Sequence, residues 1–523
     1  MRFDQLLDKL QEHGDRWIDA YQGRQRFRRT YAELRVDVDE ASAALERAGV
    51  TRGMRVGLLG DNSYEWVVYD LALIGLGVNV VALSDFDEVV TESLEAARDR
   101  YGLNLLLVDE RAPAVAPWVG RLVGLGPLEC EAARDVPRPE PGGDEFSWVF
   151  SSGSTGRLKC MSVNRAGAEH FVRALPRYGG GAHPDDVGLL FLPLSHYQQR
   201  LAIYAAIWHG TNIALATPKL LFTALREVKP TLFLAPPLFY EMVHRRVEET
   251  PGVKGEAARA LVRALERLPA GRARRALQRV CTKPIRDALG GRVRHMLTGM
   301  APIQPETLRL FETLGLPLYE GYAMTEVGMI TCNVPGANRL GSVGRPVDRD
   351  GVRLAEDGEV LVRRDNALAS GYLFHDPDEA RATFLDAGWI ATGDIGRFDE
   401  DGYLYLVGRK KVMILTPGGD KLHPEVLERR LNECAGVRRS VVCSVDAAQL
   451  VAIVSVVKDT EATRAAVERC VRELNEARAV QLQIGHVRYT EEEFSLENNL
   501  LTRSLKLDRA AIQARFASPE VGS

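Results

Sequence analysis

The chain has 523 residues, a net charge of −4 at neutral pH and a hydrophobic content of 46%. This hydrophobic content excludes an intrinsically disordered chain, and the negative charge argues against a general nucleic-acid-binding protein, which requires a basic surface. The seven cysteines are scattered, with no Cys-x-x-Cys pair, and therefore predict reduced thiols in a cytoplasmic protein rather than disulfides or a zinc site.

At the start of the chain, residues 1–10 are charged and amphipathic, a pattern that predicts no secretory signal. The longest apolar run, residues 71–83, is too short to span a bilayer, so we expect no transmembrane segment. Strand-like runs alternate with helical patterns through the first two-thirds of the chain, which predicts parallel α/β layers. The predicted elements are strands at 55–59, 78–83, 104–108 and 211–215, and a helix at 65–76.

A proline- and glycine-rich loop is predicted at 136–144, before an aromatic strand at 148–150. The strand leads into Ser151-Ser-Gly-Ser-Thr-Gly-Arg-Leu-Lys159, whose glycines permit a tight turn and whose hydroxyl groups and lysine can bind phosphate oxygens. The candidate phosphate-binding residues are Ser152, Gly153, Ser154, Thr155, Gly156 and Lys159. The segment is not the P-loop of the GTPases, because Cys160 stands where a serine or threonine would bind magnesium. Taken alone, it is equally compatible with an ordinary polar hairpin loop.

The elements become shorter after residue 392. They are a turn at 399–403, a polar junction at 408–411, the start of a helix at 424–428, strands at 441–445 and 450–456, and a helix at 461–479. We therefore expect a boundary near Arg409 between a large N-terminal unit, 1–408, and a small C-terminal unit, 409–523.

Four further segments carry polar chemistry downstream of the serine- and glycine-rich loop. They are Tyr-Glu-Gly-Tyr-Ala-Met-Thr-Glu at 319–326, Thr-Gly-Asp at 392–394, Gly-Arg-Lys-Lys at 408–411 and Leu-Thr-Arg-Ser-Leu-Lys at 501–506. In this order and separation, the five segments resemble the adenylate-forming superfamily of acyl-CoA synthetases, firefly luciferase and peptide-synthetase adenylation domains. The segments most similar to the long-chain fatty acyl-CoA synthetase branch are 191–196 with Arg200, 289–292 with 297–302, and 500–507.

The resemblance extends from about residue 30 to residue 509 and implies a large multi-layer α/β N-terminal domain with a small, mobile α+β C-terminal lid domain. It implies an AMP-forming acyl-CoA ligase, which uses ATP and Mg²⁺ to activate a carboxylic acid as an acyl-adenylate and then transfers the acyl group to coenzyme A. Two alternatives stay open. One is an enzyme of this fold that performs a single half-reaction, either thioester formation from a supplied adenylate or adenylation for a carrier protein. The other is a non-catalytic nucleotide-binding or scaffold protein.

The implied partners follow from the same resemblance. The acid is expected to carry an apolar acyl group, and a carrier protein as acceptor and a homodimer stay open. Residues 241–294 have a helical pattern rich in arginine. They form either two solvated helix faces, which is the commoner case, or a patch for an anionic membrane or for the phosphates of coenzyme A.

The resemblance also implies roles for residues of the adenylating site. Lys506 would bridge the substrate carboxylate and the α-phosphate, and Thr325 would contact the α-phosphate. Glu326 would bind the magnesium ion that bridges the phosphates, because Mg²⁺ prefers oxygen ligands. His196 would orient the carboxylate or gate the acyl pocket, and a core histidine is an equal alternative.

Further residues are implied in nucleotide binding and in domain movement. Tyr322 would stack on adenine, with core packing as the alternative, while Asp394 would accept the ribose hydroxyls and Arg409 would donate to the same sugar. The remaining implied residues are Gly299, Met300 and Ala301 at the edge of the base, Lys411 at the hinge between two domain orientations, and Gly418 and Gly419 in the thiol tunnel.

Three positions depart from the usual pattern of the superfamily. Leu158 and Cys160 stand where a proline and a glycine are usual, and Arg503 replaces a usual proline. Because proline and glycine set the freedom of the backbone at a turn, these changes bear on the ATP half-reaction more than on thioester formation.

Overall fold

A computed structural model describes residues 5–84, 88–109, 116–122, 128–132, 145–152, 158–250, 252–269, 271–363, 365, 367–374, 377–415, 421–445, 449–476, 478, 482–495, 497–501 and 507–517. The α-helices in these ranges are α1 (Leu6–Glu12), α2 (Tyr31–Arg47), α3 (Tyr64–Gly75), α4 (Glu88–Glu92), α5 (Leu94–Tyr101), α6 (Arg165–Tyr178), α7 (Tyr197–His209), α8 (Leu221–Val228), α9 (Pro237–Glu249), α10 (Gly252–Arg267), α11 (Arg272–Cys281), α12 (Lys283–Ala288), α13 (Pro305–Thr313), α14 (Pro377–Thr383), α15 (Pro424–Asn432), α16 (Glu461–Glu476) and α17 (Arg509–Phe516). None of these helices combines the length and the apolar character that a membrane span requires.

One seven-stranded sheet contains the first predicted strands. Its spatial order is β18 (Ala369–Leu373), β8 (Leu158–Asn164), β7 (Glu145–Ser152), β4 (Asn79–Ala82), β3 (Arg55–Leu59), β5 (Leu105–Val108) and β6 (Val119–Arg121). Neighbours from β7 to β6 are parallel, whereas β8 is antiparallel to both β7 and β18. The predicted strands at 55–59, 78–83 and 104–108 are confirmed as β3, β4 and β5. They could be predicted because a parallel strand buried on both faces gives a continuous apolar run. The predicted loop at 136–144 lies outside the described residues.

A nine-stranded sheet forms the second layer. Its order is β15 (Arg345–Pro346), β14 (Gly328–Cys332), β13 (Leu318–Met324), β12 (His295–Thr298), β11 (Leu232–Ala235), β9 (Val187–Leu190), β10 (Asn212–Leu215), β1 (Trp17–Gln22) and β2 (Gln25–Thr30). The six consecutive strands β13, β12, β11, β9, β10 and β1 pair with one another in parallel. The strand predicted at 211–215 is β10. The carboxyl ends of β12 and β13 therefore lie side by side, at the edge where α/β sheets bind ligands.

The largest hydrophobic cluster joins residues of both sheets with α3 and α7. Within it, the guanidinium of Arg200 lies 2.6 Å from the carboxylate of Asp70, and both residues are buried. Arg200 also donates to the Ser147 hydroxyl on β7 at 2.6 Å. Since breaking a buried ion pair leaves an uncompensated charge, Arg200 holds α7 against α3 and the first sheet.

A four-stranded antiparallel sheet follows, in the order β16 (Val352–Leu354), β17 (Glu359–Arg363), β19 (Trp389–Phe398) and β20 (Leu404–Arg409). The hairpin turn predicted at 399–403 joins β19 to β20, where the Asp399 N–H donates to the Tyr403 carbonyl at 3.0 Å. A two-stranded sheet of β21 (Ile414–Leu415) and β22 (Lys421–Leu422) comes next. The polar junction predicted at 408–411 comprises the end of β20 and the residues directly after it.

The last sheet has three strands, β23 (Val437–Val445), β24 (Gln449–Val456) and β25 (Ile484–Thr490). Helices α15, α16 and α17 pack on it in two hydrophobic clusters whose members all lie between residues 414 and 517. The predicted α/β class with a small α+β C-terminal part is confirmed. The boundary near Arg409 stays a prediction, which this separate core supports.

Candidate active site

The serine- and glycine-rich segment joins β7 to β8, which pair in antiparallel register with Ser152 opposite Leu158. The described residues on either side of the segment therefore belong to an antiparallel strand pair, which is compatible with both the phosphate-binding hypothesis and the plain hairpin alternative. Ser152 ends β7, and the next residues, Gly153, Ser154, Thr155 and Gly156, lie outside the described residues. Phosphate binding by these residues stays a prediction.

Alternation along β8 places Lys159 and Cys160 on opposite faces of the sheet. The Lys159 ammonium lies 2.6 Å from the Glu379 carboxylate and 4.4 Å from the centre of the Tyr372 ring. Cys160 is 4% exposed and packs in a hydrophobic cluster that includes Trp148. Cys160 therefore belongs to the core, and Lys159 alone of the two faces the site.

The Met-Thr-Glu sequence begins at Met324, the last residue of β13. Glu326 is only 7% exposed, and its Oε1 accepts a hydrogen bond of 2.7 Å from the Tyr372 hydroxyl. Burial and the neighbouring Glu326 raise the pKa of Tyr372 far above its usual value, so the phenol keeps its proton and donates. Thr325 Oγ1 accepts from the Gln198 amide at 3.4 Å. This contact brings the first turn of α7, which follows its N-cap residue His196, to the same site.

The donor chemistry at Glu326 fits a magnesium ion. Mg²⁺ is usually held by one or two carboxylates together with water and substrate phosphates, rather than by an all-protein cage. In the described part of the chain, no three His, Cys, Asp or Glu side chains cluster as metal ligands. Glu326 is therefore suited to a metal that arrives with a polyphosphate.

Asp394 brings together three of the predicted nucleotide-binding residues. The β19–β20 register places it opposite Arg409, whose Nε lies 3.0 Å from Asp394 Oδ1. The Tyr322 hydroxyl donates to Asp394 Oδ2 at 2.6 Å, and burial raises the pKa of Tyr322 well above its ordinary value. A carboxylate has about four lone-pair sites, so Asp394 keeps acceptor capacity for the hydroxyls of a sugar.

The backbone after β12 approaches β13 closely. A Cβ atom on Gly299 would lie 2.7 Å from the Gly321 carbonyl oxygen, so only glycine fits there. Met300 has φ +73° and is 47% exposed, an unusual conformation for a side chain of this size. Gly299, Met300 and Ala301 thus lie at the carboxyl end of β12, next to the strand that carries Tyr322.

The hinge candidate Lys411 lies in a short 3₁₀ turn, Lys410–Val412, directly after β20. Its ammonium lies 3.3 Å from the same Glu379 oxygen that contacts Lys159. Lys506, Gly418 and Gly419 lie outside the described residues. Their roles, and the hinge role of Lys411, stay predictions.

Three residues of the site were missed by sequence reasoning: Tyr372, Glu379 and Gln198. Tyr372 reaches the site because β18 pairs with β8, with Tyr372 opposite Met161. Glu379 follows on α14, and Gln198 lies on α7. No short motif marks these positions, because their proximity depends on pairing between distant parts of the chain.

Comparison with known proteins agrees with this geometry. Residues 8–373 match the family described as AMP-binding enzyme, which is more than half of the chain, and the protein therefore belongs to this family. The superfamily inferred from the five segments is confirmed.

The chain is similar to proteins of known name over nearly its whole length. It is 28% identical to a long-chain-fatty-acid–CoA ligase, FadD15, of Mycobacterium bovis, covering 94% of this chain and 91% of that protein. It is 26% identical to the human long-chain-fatty-acid–CoA ligase 1, covering 92% and 80%.

Solved structures show the same fold. The o-succinylbenzoate CoA synthetase MenE of Bacillus subtilis, in complex with its acyl-adenylate intermediate, superposes with a TM-score of 0.72 at 20% identity, covering 97% of both chains. The amide bond synthetase McbA of Marinactinospora thermotolerans gives a TM-score of 0.74 at 21% identity, covering 98% and 99%.

Proposed function

We propose that this protein is an AMP-forming acyl-CoA ligase. A carboxylate oxygen of the acid attacks the α-phosphorus of ATP and pyrophosphate leaves, giving an acyl-adenylate. The thiol of coenzyme A then attacks the acyl carbonyl carbon, and AMP leaves with that oxygen. The observation that carries the proposal is that two sets of contacts meet at β13. Lys159 and Glu326 both contact Tyr372, and Tyr322 on β13 donates to Asp394, which pairs with Arg409.

The first half-reaction brings two anions together, so the site must supply positive charge where the pentavalent phosphorus forms. Lys159 supplies one charge directly. Glu326 would hold the Mg²⁺ that neutralises the phosphates when nucleotide is bound, and Lys506 is expected to bridge the carboxylate and the α-phosphate. Charge-assisted hydrogen bonds of this kind contribute roughly 1.5–3 kcal/mol each.

Recognition of the nucleoside is proposed for the neighbouring residues. Asp394 accepts the ribose hydroxyls and Arg409 donates to the sugar. Tyr322, fixed by its hydrogen bond to Asp394, borders the adenine. The backbone at 299–301, at the carboxyl end of β12, is proposed to approach the edge of the base.

The second half-reaction is proposed to follow a rotation at Lys411, which exchanges one active arrangement for another. Gly418 and Gly419 then line the path of the thiol. An apolar acyl group is supported by the names of the two relatives, both of which are long-chain-fatty-acid–CoA ligases. Coenzyme A is the proposed acceptor, and a carrier protein is the alternative.

The test is a panel of carboxylic acids with mass-spectrometric detection of two products. Straight-chain fatty acids of short, medium and long chain, an aromatic acid and a dicarboxylic acid are each incubated with MgATP, first without and then with coenzyme A. We expect an acyl-adenylate in the first condition and an acyl-CoA in the second, greatest for the long-chain acids. Lys506→Ala should lower adenylate formation by about 10²–10³ and leave thioester formation from synthetic adenylate largely intact.

Other outcomes would contradict the proposal. Thioester formed only from supplied adenylate would show an enzyme of one half-reaction. Acyl-adenylate formed without any acyl-CoA would show an enzyme that adenylates an acid for another acceptor, such as a carrier protein. Nucleotide binding without either product would show a binding protein.

A further inference from the structure

Glu379 connects two lysines of the site. It lies on α14, in the segment that follows β18, and its Oε1 atom lies 2.6 Å from the Lys159 ammonium and 3.3 Å from the Lys411 ammonium. The exposed fractions are 12% for the Lys159 side chain, 26% for Glu379 and 63% for Lys411. One carboxylate oxygen therefore lies between the lysine of the phosphate loop and the lysine of the hinge turn.

The sheet places the Lys159 ammonium in this position. Lys159 and Met161 share one face of β8, and Tyr372 of β18 lies opposite Met161 on that face. Such diagonal neighbours are within reach of long side chains, which explains the contact of Lys159 with the Tyr372 ring. The ring and the Glu379 carboxylate thus contact the same ammonium.

Contacts with the two lysines distinguish Glu379 from Asp378, the preceding acid on the same helix. The hydrogen bond from Lys159 lowers the pKa of Glu379 below its usual value, so this group is an anion at neutral pH. Asp378, one residue earlier, forms its ion pair with Arg381 and is 79% exposed. Only the second of these adjacent acids faces the two lysines of the site.

We propose that Glu379 is a positioning residue that occupies Lys159 as an internal anion, so that the phosphates of ATP must displace it, and that its displacement also releases Lys411. This inference rests on the proposed function, because it takes Lys159 as a ligand of the nucleotide phosphates. When the polyphosphate takes over Lys159, the carboxylate loses its shorter contact and the hinge turn loses its link to α14. Nucleotide binding is thereby coupled to the freedom of the hinge.

The test compares full-length Glu379→Gln with Asp378→Asn, which removes a charge one residue away. Affinities for MgATP and for AMP are measured by calorimetry without acid or coenzyme A. We expect Glu379→Gln to bind MgATP about three- to fivefold more tightly than the wild type, the scale of one partly exposed ion pair. AMP lacks the β- and γ-phosphates, so its affinity should not change. Asp378→Asn should match the wild type for both ligands.

A second measurement follows the hinge. Hydrogen–deuterium exchange of residues 410–415 should rise in the wild type on addition of MgATP, and should be raised without nucleotide in Glu379→Gln. Glu379→Ala, which removes the carboxylate without an amide in its place, should behave in the same way.

The proposal is overturned if Glu379→Gln binds MgATP as the wild type does or more weakly. The carboxylate would then have no effect on MgATP affinity or would increase it. An equal gain in AMP affinity, or unchanged exchange at the hinge, would also overturn it. Failure of the proposed function is distinguishable, because these measurements require no turnover. A wild type that binds MgATP but forms no acyl-CoA would refute the ligase and leave the comparison of variants valid.

Discussion

Cys160 shows how one residue next to the phosphate loop can depart from a family pattern without lying in the site. Its side chain is buried in a cluster with Trp148, whereas Lys159 points to the opposite face. The usual glycine would therefore remove packing atoms and no phosphate contact. The departure at this position is a feature of the core.

The double change Leu158→Pro with Cys160→Gly tests this interpretation. Pyrophosphate release should stay close to the wild-type rate, because Lys159 and its partners are unaltered. The free energy of unfolding, measured in urea, should fall by about 1–3 kcal/mol, because glycine leaves a cavity and gains freedom in the unfolded chain. A substantial rise in pyrophosphate release would instead show that Leu158 and Cys160 weaken the binding of ATP.

Glu326→Gln tests the proposed magnesium ligand. The amide oxygen can still accept the hydrogen bond from Tyr372, so folding should be little affected, while the charge that a divalent ion requires is lost. Activity at saturating MgATP should fall by about 10², and the Mg²⁺ concentration for half-maximal rate should rise. Tyr372→Phe, which keeps the charge, is the matched control and should show the smaller loss. A wild-type response of Glu326→Gln to magnesium would exclude this role.

At the scale of elements, a strand or helix could be predicted where neighbouring residues in the sequence determine it, and a contact could not where it depends on pairing between distant segments. The strand at 55–59 was predictable because burial on both faces leaves a continuous apolar run in the sequence itself. The helix expected at 461–479 ends at Glu476, since the apolar pattern does not fix the last turn. The contacts of Glu326 with Tyr372 and of Lys159 with Glu379 were not predictable, because both depend on β18 pairing with β8.

The site, too, could be predicted only in part. Asp394 and Arg409 were expected at one sugar, and the β19–β20 register does bring them together. The hydrogen bond from Tyr322 to Asp394 leaves no signal in the spacing of either motif. Side-chain direction across two sheets decides that contact, and a single sequence does not encode it in any short pattern.

The turn Lys410–Val412 is the element on which domain rotation is expected to depend. Lys411→Pro fixes φ near −65° and should trap one orientation. We expect loss of thioester formation with adenylation preserved, each half-reaction being assayed separately. Lys411→Ala, which removes the contact with Glu379 without restricting the backbone, should have the smaller effect. Loss of both half-reactions with a lower melting temperature would show misfolding and contradict the hinge.

At the scale of the whole molecule, ion pairs join the small C-terminal part to the large one. Arg439 on β23 pairs with the buried carboxylate of Glu241 on α9, and Arg245 lies 3.0 Å from Glu493. Among the described residues, the side chain of the adjacent Arg438 donates to the carbonyl groups of Val456 and Glu491 in the C-terminal part. Its one hydrogen bond with the large part in these residues is made by its backbone carbonyl, which accepts from the Gln304 amide at 3.5 Å. The side chain of Arg439 thus joins the two parts, whereas these hydrogen bonds of the Arg438 side chain stay within the C-terminal part.

Arg439→Ala should therefore destabilise this orientation by leaving the Glu241 charge buried without its partner. We expect the ratio of the two half-reaction rates to change by about threefold or more, together with a shift in the small-angle scattering profile. Arg438→Ala is the matched control and should leave both the ratio and the profile unchanged. Identical behaviour of the two variants would show that this ion pair does not select an orientation.

The most direct test of the ligase follows an oxygen atom. A long-chain fatty acid labelled with oxygen-18 in both carboxylate oxygens is incubated with the enzyme, MgATP and coenzyme A. The oxygen-18 content of the AMP and of the pyrophosphate is then measured by mass spectrometry. Attack of the carboxylate on the α-phosphorus, followed by thiol attack on the carbonyl carbon, predicts one labelled oxygen in AMP and none in pyrophosphate. Unlabelled AMP, or ADP and phosphate in place of AMP and pyrophosphate, would contradict the acyl-adenylate mechanism.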